Sequence, residues 1–396
     1  MFSARPRNWM ALAWLVWGGM ALGFALFSMA FPWSHNVYRI YVPPGLLWWQ
    51  GEDIYVPVRD YFRYSPLFAI HLAPFVHLPD HFGGSLWRLF IVGAFALSLG
   101  SAARHLFPRL LTTNQAAAFY LLAVPLAANS MYNGQANTLM MATVLFGLAA
   151  AARQHWNRAA LWLALAALIK SYLIGLALVL LILYPRKFAL RFVAFLTLGL
   201  LLPFAAQSPD YVLRQYQGWL HHLSDSTELM RDRLRSFDYL MWRYGLPISA
   251  TTFNLLGVVT GGAVLGLSLI DARRGIGHRE LLTRVFLLFS VWTVLFGPAT
   301  EACTYIAVGP ALAWSVLDAW QRRLPWPARG WLLVSLFFMG PAVTDMVGPG
   351  RHLAYAFASQ PLGALMYVAY LLCDRPAPGA TQRDVAAPPQ ALPRAA

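Results

Sequence analysis

The sequence predicts an all-α polytopic membrane protein. Of its 396 residues, 59% are hydrophobic and only 12% are charged, whereas soluble proteins are about 25% charged. Apolar stretches of about 20 residues, long enough to cross a bilayer as helices, recur along the whole chain. The 30 basic residues are scattered between these stretches. We therefore expect one membrane domain over residues 1–373, a bundle of about twelve transmembrane helices with short interfacial helices in its external loops.

The expected spans follow the apolar stretches in chain order. They are Trp9–Phe31, Pro66–Pro79, Leu86–Ala103, Gln115–Ala128, Asn137–Ala152, Arg158–Tyr184, Phe188–Ala206, Thr251–Ile270, Leu282–Phe296, Ala302–Leu317, Gly330–Met346 and Pro361–Cys373. The second is short for a full crossing, and Lys170 interrupts the sixth. Arg5 and Arg7 precede the first span and predict a cytoplasmic N-terminus. Residues 374–396, rich in Pro and Ala, predict a disordered cytoplasmic tail.

The positions of the basic residues test this layout. An even number of spans places three basic turns of the second half on the cytoplasmic side, as the positive-inside rule requires: Arg186–Lys187, Arg273–Arg279 and Arg322–Arg323. Four arginines fall on the outer side instead: Arg104, Arg109, Arg153 and Arg158. Either the short second span is re-entrant, or these arginines contact anionic lipid.

The first external loop, residues 32–65, concentrates polar and aromatic side chains. It holds three of the chain's 16 carboxylates, at Glu52, Asp53 and Asp60. Arginines and aromatic rings surround them, which indicates short helices lying in the membrane interface. Rings in such a loop either form an interfacial aromatic belt or stack against sugars.

The second large external loop, residues 207–249, is also polar. It is interpreted either as a solvated connector or as a lid over a site that faces the first loop. His221 and His222 do not indicate a metal site, because adjacent helical residues point about 100° apart and no Cys or carboxylate stands at ligand spacing. Cys303 and Cys373 form no disulfide or metal pattern. We expect no metal and no cofactor, and the scattered charge does not indicate nucleic-acid binding.

Three features inside or beside the spans carry chemistry. Asn133, Gln135 and Asn137 place three amides at a helix start, where an ordinary capped turn is the simpler interpretation. Lys170 and Glu301 lie within apolar stretches. An ionisable group in a membrane span is costly and indicates a functional or paired site, although a lysine can also extend its side chain to the interface. Glu301 is too short for that.

Several of these segments resemble glycosyltransferase family 87 of the GT-C superfamily. YFRYSPLF resembles the family's entry to the second span, and NGQANTLM its Gly-Gln-x-Asn helix start. LALAALIKSYLIGL is similar to its Lys-aromatic segment, and GEDIY to its first external loop. The four motifs occur in the family's order and cover most of the first half of the chain.

The resemblance implies a GT-C fold with an active site on the external or periplasmic side of the plasma (inner) membrane. The implied enzyme is a hexosyltransferase of the cell envelope, with mannose as the expected sugar. Its partners are a polyprenyl-phosphate-linked sugar donor, a lipid or glycan acceptor hydroxyl, and membrane lipids. The expected transfer is inverting and independent of metal.

One position departs from the family pattern. The family's catalytic Asp stands four residues before the Tyr of a Val-Tyr pair in the first loop, and this chain has Ser34 there. A serine hydroxyl cannot act as a general base near neutral pH. The candidates for the base are therefore Glu301, Asp53 and Asp60.

A phosphate-activated sugar needs one base, together with cations or amides that hold the departing phosphate. Arg59, Arg63 and Lys170 are the candidate cations, Lys170 only if its helix breaks. Substrate binding is further assigned to Tyr64, Asn133, Gln135 and Asn137.

Two alternatives stay open. Polar groups arranged as a path across the bilayer would indicate a transporter or flippase of a lipid-linked substrate, although the two halves show no repeated motif of the kind transporters carry. The serine at position 34 would also fit a non-catalytic GT-C-like subunit.

Overall fold

The computed structural model describes residues 8–55, 62–109, 112–224, 234–343 and 350–375, and these are helical throughout, apart from turns and one isolated β-bridge. The helices of the first half are α1 Trp9–Ala30, α2 Tyr38–Gln50, α3 Pro66–His71, α4 Ala73–Val76, α5 Asp80–His105, α6 Thr113–Tyr132, α7 Ala136–Ala152, α8 Trp156–Ile169, α9 Ile174–Leu183 and α10 Leu190–Leu201. Those of the second half are α11 Pro209–Ser224, α12 Phe237–Arg243, α13 Ala250–Arg273, α14 His278–Phe296, α15 Gly309–Gln321, α16 Trp326–Met339, α17 Gly350–Ala356 and α18 Ser359–Cys373. The all-α class is confirmed.

Within the part of the chain that the structure describes, four segments are both long and apolar enough to cross a membrane: Trp9–Ala30, Asp80–His105, Pro185–Ala205 and Ala250–Arg273. Most of the other expected spans lie in shorter apolar helices, many of them interrupted by turns. Large hydrophobic side chains are exposed on the outer faces of α1, α10 and α13, as expected for helices that face lipid.

One end of the bundle, called the basic end here, gathers the turns that carry arginine. Arg109 pairs there with Asp318 at 2.5 Å and with Glu280 at 3.4 Å. Arg279 donates to the carbonyl of Arg104 at 3.1 Å, and His278 contacts the carbonyl of Ala151 at 2.9 Å. The turns that follow α5 and α7 therefore lie at the same end as the turns that precede α14 and follow α15.

This arrangement corrects the expected second span. Residues 66–76 form only two short helices, α3 and α4, whose 6 and 4 residues cannot cross a bilayer. The chain therefore stays at the end where α1 finishes, and α5 begins there. As a result, the four arginines that broke the positive-inside rule lie at the basic end with the others, as the re-entrant interpretation requires.

The expected sixth span is also wrong as a single crossing. Its helix breaks at Lys170, whose φ of −137° and ψ of 106° are extended. The 14 residues of α8 and the 10 of α9 form a hairpin, because the Trp156 and Tyr184 rings at its two ends lie 4.9 Å apart. At 1.5 Å per residue, α8 carries Lys170 about 21 Å from the basic end.

The first external loop packs into one end of the bundle. Its helix α2 is inserted between α3, α4 and α5, with Tyr38, Tyr41 and Trp48 fully buried. Trp33 and Trp49 remain exposed. The loop is thus part of the core at the end opposite the basic end, called the site end here.

Helix α11 of the second loop packs on the end of the first loop. The Ile54 N–H donates to Gln215 Oε1 at 3.1 Å, and the Tyr211 hydroxyl donates to the Glu52 carbonyl at 2.6 Å. His222 contacts the Tyr55 carbonyl at 2.9 Å. The solvated-connector interpretation is therefore wrong for residues 209–224, which cover the first loop.

Arg88 of α5 ties the site end together. Its guanidinium is fully buried, and its five N–H groups have five neutral acceptors. These acceptors belong to α1, to the first loop, to α5 itself and to the end of α6: Ser28 Oγ, the His35 carbonyl, Asn36 Oδ1, the Gly84 carbonyl and the Tyr132 carbonyl. Gly134, at φ +65°, leaves room for this guanidinium. Arg88 is a positioning residue for the loop and for the start of α7.

We expect Arg88→Met to destabilise the protein by about 3–5 kcal/mol, because several buried acceptors lose their donors at once. Arg88→Lys restores only part of the loss, since an ammonium offers three donors rather than five. The thermal unfolding midpoint of the detergent-solubilised protein measures the effect. Arg104→Met, an exposed site on the same helix, is the control. Equal midpoints for Arg88→Met and the wild type would contradict the prediction.

Candidate active site

Glu301 begins a short 3₁₀ turn, Ala302–Ala307, between α14 and α15. Its carboxylate accepts the backbone N–H of Thr304, and its own N–H donates to Thr304 Oγ1 at 3.2 Å, forming a capping box. The Cys303 thiol donates to Glu301 Oε2 at 3.4 Å. An antiparallel bridge to Leu234 holds its backbone from the other side. The half-buried carboxylate is thus fixed in direction and only partly used by protein donors.

The start of α7 faces this turn. Asn137 is almost fully buried, and its Nδ2 donates to Thr304 Oγ1 at 3.5 Å and to Cys303 Sγ at 3.9 Å. Its Oδ1 is buried without a hydrogen-bond partner. The capping interpretation of Asn137 is wrong, because Gln135 occupies the N-cap position. Asn137 instead connects the NGQAN segment to the Glu301 turn.

Two tyrosines from the first loop lie beside the start of α7. Together with Asn137 and the Glu301 turn they form one wall of the site end. Tyr41 Oη and Tyr64 Oη lie 3.1 Å apart, and the Ala136 N–H donates to Tyr41 Oη at 2.9 Å. Burial raises the pKa of both phenols, and the negative charge of the Glu301 carboxylate raises it further. Both phenols therefore stay protonated at neutral pH and act as neutral hydrogen-bonding groups.

Lys170 reaches the same region from the tip of the α8–α9 hairpin. Its Nζ lies 4.5 Å from the centre of the Tyr64 ring, a cation–π distance. The Glu301 carboxylate and the Arg63 guanidinium are its charged neighbours. The helix break keeps the ammonium at the site end, so extension of the side chain to the interface is not its role.

Four predicted residues thus converge: Glu301, Asn137, Tyr64 and Lys170. Arg63 precedes Tyr64 in the sequence, and its guanidinium is an electrostatic neighbour of the Lys170 ammonium. Gln135 is buried at the N-cap of α7, beside the Ala136 contact. Asn133 lies at the preceding turn, where its Nδ2 donates to Asn129 Oδ1 at 2.8 Å and its carbonyl accepts the Val37 N–H.

Of the two candidate carboxylates of the first loop, Asp53 and Asp60, the first is not among these converging residues. Asp53 is exposed, and its Oδ1 accepts the Tyr55 N–H at 2.9 Å. This bond fixes the turn on which α11 packs, away from the Glu301 turn. Asp60 and Arg59 lie outside the described residues. Ser34, at the family's Asp position, is exposed at the start of the loop.

Sequence reasoning missed several residues around Glu301. Gln360 of α18 donates from Nε2 to the Ala302 carbonyl at 3.3 Å, and its buried Oε1 has no partner. The Arg235 guanidinium lies 4.1 Å from the Tyr355 ring centre, and its backbone N–H donates to the Thr300 carbonyl. Arg88 alone had a usable signal: it is the single charge in the expected third span, which is the criterion already applied to Lys170.

The arrangement combines one fixed carboxylate with a nearby half-buried cation, two neutral phenols and unsatisfied amide oxygens. Such a set can accept a proton, hold an anionic leaving group and bind hydroxyl groups. Within the residues that the structure describes, no group of three or more His, Cys, Asp or Glu side chains could hold a metal ion.

A helical membrane bundle with this set of groups at one end is the architecture of a membrane-embedded transferase. The sequence profile of glycosyltransferase family 87 matches residues 62–298, more than half of the chain. The chain belongs to glycosyltransferase family 87, and it is a membrane glycosyltransferase. The match includes the segments of Tyr64, Asn137 and Lys170, and it ends before Glu301.

Among solved structures, the chain is similar to the apo form of ArnT from Cupriavidus metallidurans. The two are 17% identical, with a TM-score of 0.45, over 91% of this chain and 77% of that one. No curated protein matches the chain. The resemblance to family 87 drawn from the four sequence motifs is confirmed by the profile match.

Proposed function

We propose that this enzyme transfers a hexose, with mannose the first sugar to test, from a polyprenyl-phosphate donor to a hydroxyl of a lipid or glycan acceptor. The observation that carries the proposal is the convergence of Glu301 and Lys170 on one wall. With Asn137 and Tyr64, these groups come from four separate parts of the chain, and Tyr64 lies in cation–π contact with the ammonium. A lipid-linked donor also fits a site that is reached from within the membrane bundle.

In the proposed reaction, the acceptor oxygen bonds to the anomeric carbon while the bond from that carbon to the phosphate oxygen breaks. Glu301 takes the proton of the acceptor hydroxyl, and polyprenyl phosphate leaves with the bonding electrons. Lys170 and Arg63 balance the charge that grows on the phosphate. A single displacement inverts the anomeric configuration, and these side chains supply the required charges without a metal.

Asn137 Oδ1 and Gln360 Oε1 support the binding of a sugar. Both are buried acceptors beside the Glu301 turn, and neither has a protein partner. A buried acceptor left unsatisfied costs about 1–3 kcal/mol, a loss that a donor hydroxyl of a bound sugar removes.

The test is a membrane assay with radiolabelled polyprenyl-phosphate mannose, glucose and galactose, with transfer to membrane glycolipid as the readout. We expect transfer from one of these donors to depend on the wild-type chain. If membranes that contain the folded protein use none of these donors, the proposed donor class is wrong. That result would favour the transport or the non-catalytic interpretation.

We also propose that the basic end is cytoplasmic and that the site end is periplasmic or external. Reporter fusions after Asp374 and within residues 154–158 are expected to report the cytoplasm, because Arg109, Arg153, Arg158 and Arg322 gather at that end. A fusion within residues 225–233 is expected to report the opposite side. A periplasmic signal from residues 154–158 would contradict this layout. It would support the twelve-span layout predicted from the sequence, which places Arg153 and Arg158 on the outer side.

A further inference from the structure

At the basic end, a groove lies between the start of α8 and the start of α10, far from the site end. It encloses about 380 Å³ and is lined by Gln154, His155, Trp156, Asn157, Arg158 and Arg191. Two of these side chains are arginines and none is a carboxylate. The groove is independent of the proposed sugar transfer.

The two groove arginines differ from three buried or half-buried arginines at this end that are paired with carboxylates. Arg109, Arg284 and Arg322 each lie within 3.5 Å of an Asp or Glu oxygen. Arg158 and Arg191 are exposed and have no carboxylate at ion-pair distance among the described residues. Their positive charge is therefore available to an anion.

Arg191 is also held in place. Its Nε donates to Asn157 Oδ1 at 2.7 Å, and its Nη1 donates to the Lys187 carbonyl at 2.7 Å. The first bond connects α10 to the first turn of α8, and the two together fix the guanidinium at the groove. A pre-oriented guanidinium loses less conformational freedom when it binds a phosphate.

Apolar side chains continue from the groove toward the middle of the bundle. Leu161 follows Arg158 by one helical turn and Leu198 follows Arg191 by two, so each lies on the same helix face as its arginine. Both are exposed, Leu198 at 54%, and α10 is part of a segment long and apolar enough to span. A phosphate at the arginines with acyl chains along these faces matches the shape of an anionic phospholipid.

We propose that this groove binds the headgroup of one anionic phospholipid, with the Arg158 and Arg191 guanidinium groups on its phosphate. Basic pockets between helices at the cytoplasmic side of membrane proteins recognise such headgroups. The exposed aliphatic faces favour a lipid over a free phosphate ion.

Native mass spectrometry of the full-length protein, released from nanodiscs of phosphatidylglycerol and phosphatidylcholine, tests the site. We expect one phosphatidylglycerol to be retained preferentially. Each cation near an anionic headgroup contributes about fivefold in affinity, so Arg158→Gln with Arg191→Gln lowers retention by more than tenfold. The matched control is Arg273→Gln with Arg274→Gln, two exposed arginines at the same end.

Equal loss in the two double variants would overturn the proposal, because the effect would then be the general attraction of a basic surface. Unchanged retention in the groove variant would overturn it as well. The thermal unfolding midpoint is measured in parallel with and without phosphatidylglycerol. A stabilising shift in the wild type and the control, lost only in the groove variant, supports the site even if lipids dissociate in the gas phase.

Discussion

Glu301→Gln is expected to reduce sugar transfer by about 10²–10⁴-fold, the usual contribution of a general base. The substitution removes proton acceptance and keeps the size of the side chain. The amide oxygen can still accept the Thr304 N–H, so the 3₁₀ turn that begins at this residue keeps its cap. The loss should therefore appear in turnover, measured with the radiolabelled donor, and not in the thermal unfolding midpoint.

Asp53→Asn is the matched control for this experiment. Asp53 Oδ1 accepts the Tyr55 N–H, a bond that the asparagine oxygen can also accept, and we expect activity near that of the wild type. Asp60→Asn completes the set of candidate bases. If an Asp60 or Asp53 variant loses activity while Glu301→Gln does not, the base lies in the first loop, as in the family. If all three remain active, a carboxylate base is wrong for this enzyme.

Composition and motif order were sufficient for the fold class and the family, because both depend on local properties of the chain. The apolar stretches predict helices wherever they pack, and the four motifs keep their order in the sequence. Lys170 was identified by its cost in an apolar stretch. What the sequence could not show was that its helix breaks there and turns back, since the 24 residues of α8 and α9 together read as one span.

The errors concern contacts between distant segments. Pro66–Pro79 reads as a span because its residues are apolar, but it is buried against α2 and α5. The first loop is polar and aromatic, and the sequence could not show that Arg88 and the phenols satisfy its polar groups inside the bundle. Local polarity reports which groups need partners, and only the packing shows that these partners come from the protein.

The two ends of the molecule differ in how their charged groups are paired. The carboxylates at the basic end are paired with arginines, as in the contacts of Asp318 with Arg109 and Arg322. At the site end, Lys170 has Glu301 only as an electrostatic neighbour and an aromatic ring as its direct contact. A half-buried cation without an ion-pair contact carries a desolvation cost, and an anionic substrate would offset that cost.

Lys170→Met is accordingly expected to lower kcat/KM for the lipid-phosphate donor by about 10²–10³-fold, the usual cost of losing one group that stabilises developing charge. Methionine matches the length and apolar stem of lysine, so the hairpin and its packing on Tyr64 should persist. The thermal unfolding midpoint should then equal or exceed that of the wild type, because a half-buried charge has been removed. Donor titrations of membranes that contain equal amounts of each variant separate kcat from KM.

The chain offers a matched control for Lys170→Met, because its second lysine, Lys187, is exposed at the basic end. Lys187→Met removes the same charge about 20 Å or more from the site, judged from the length of α8, and should leave donor kinetics unchanged. Lys170→Arg keeps the charge and should retain more activity than Lys170→Met. Loss of activity in Lys187→Met, or unchanged kinetics in Lys170→Met, would show that Lys170 does not hold the departing phosphate. In that case Arg63, whose guanidinium is an electrostatic neighbour of Lys170, becomes the cation to test.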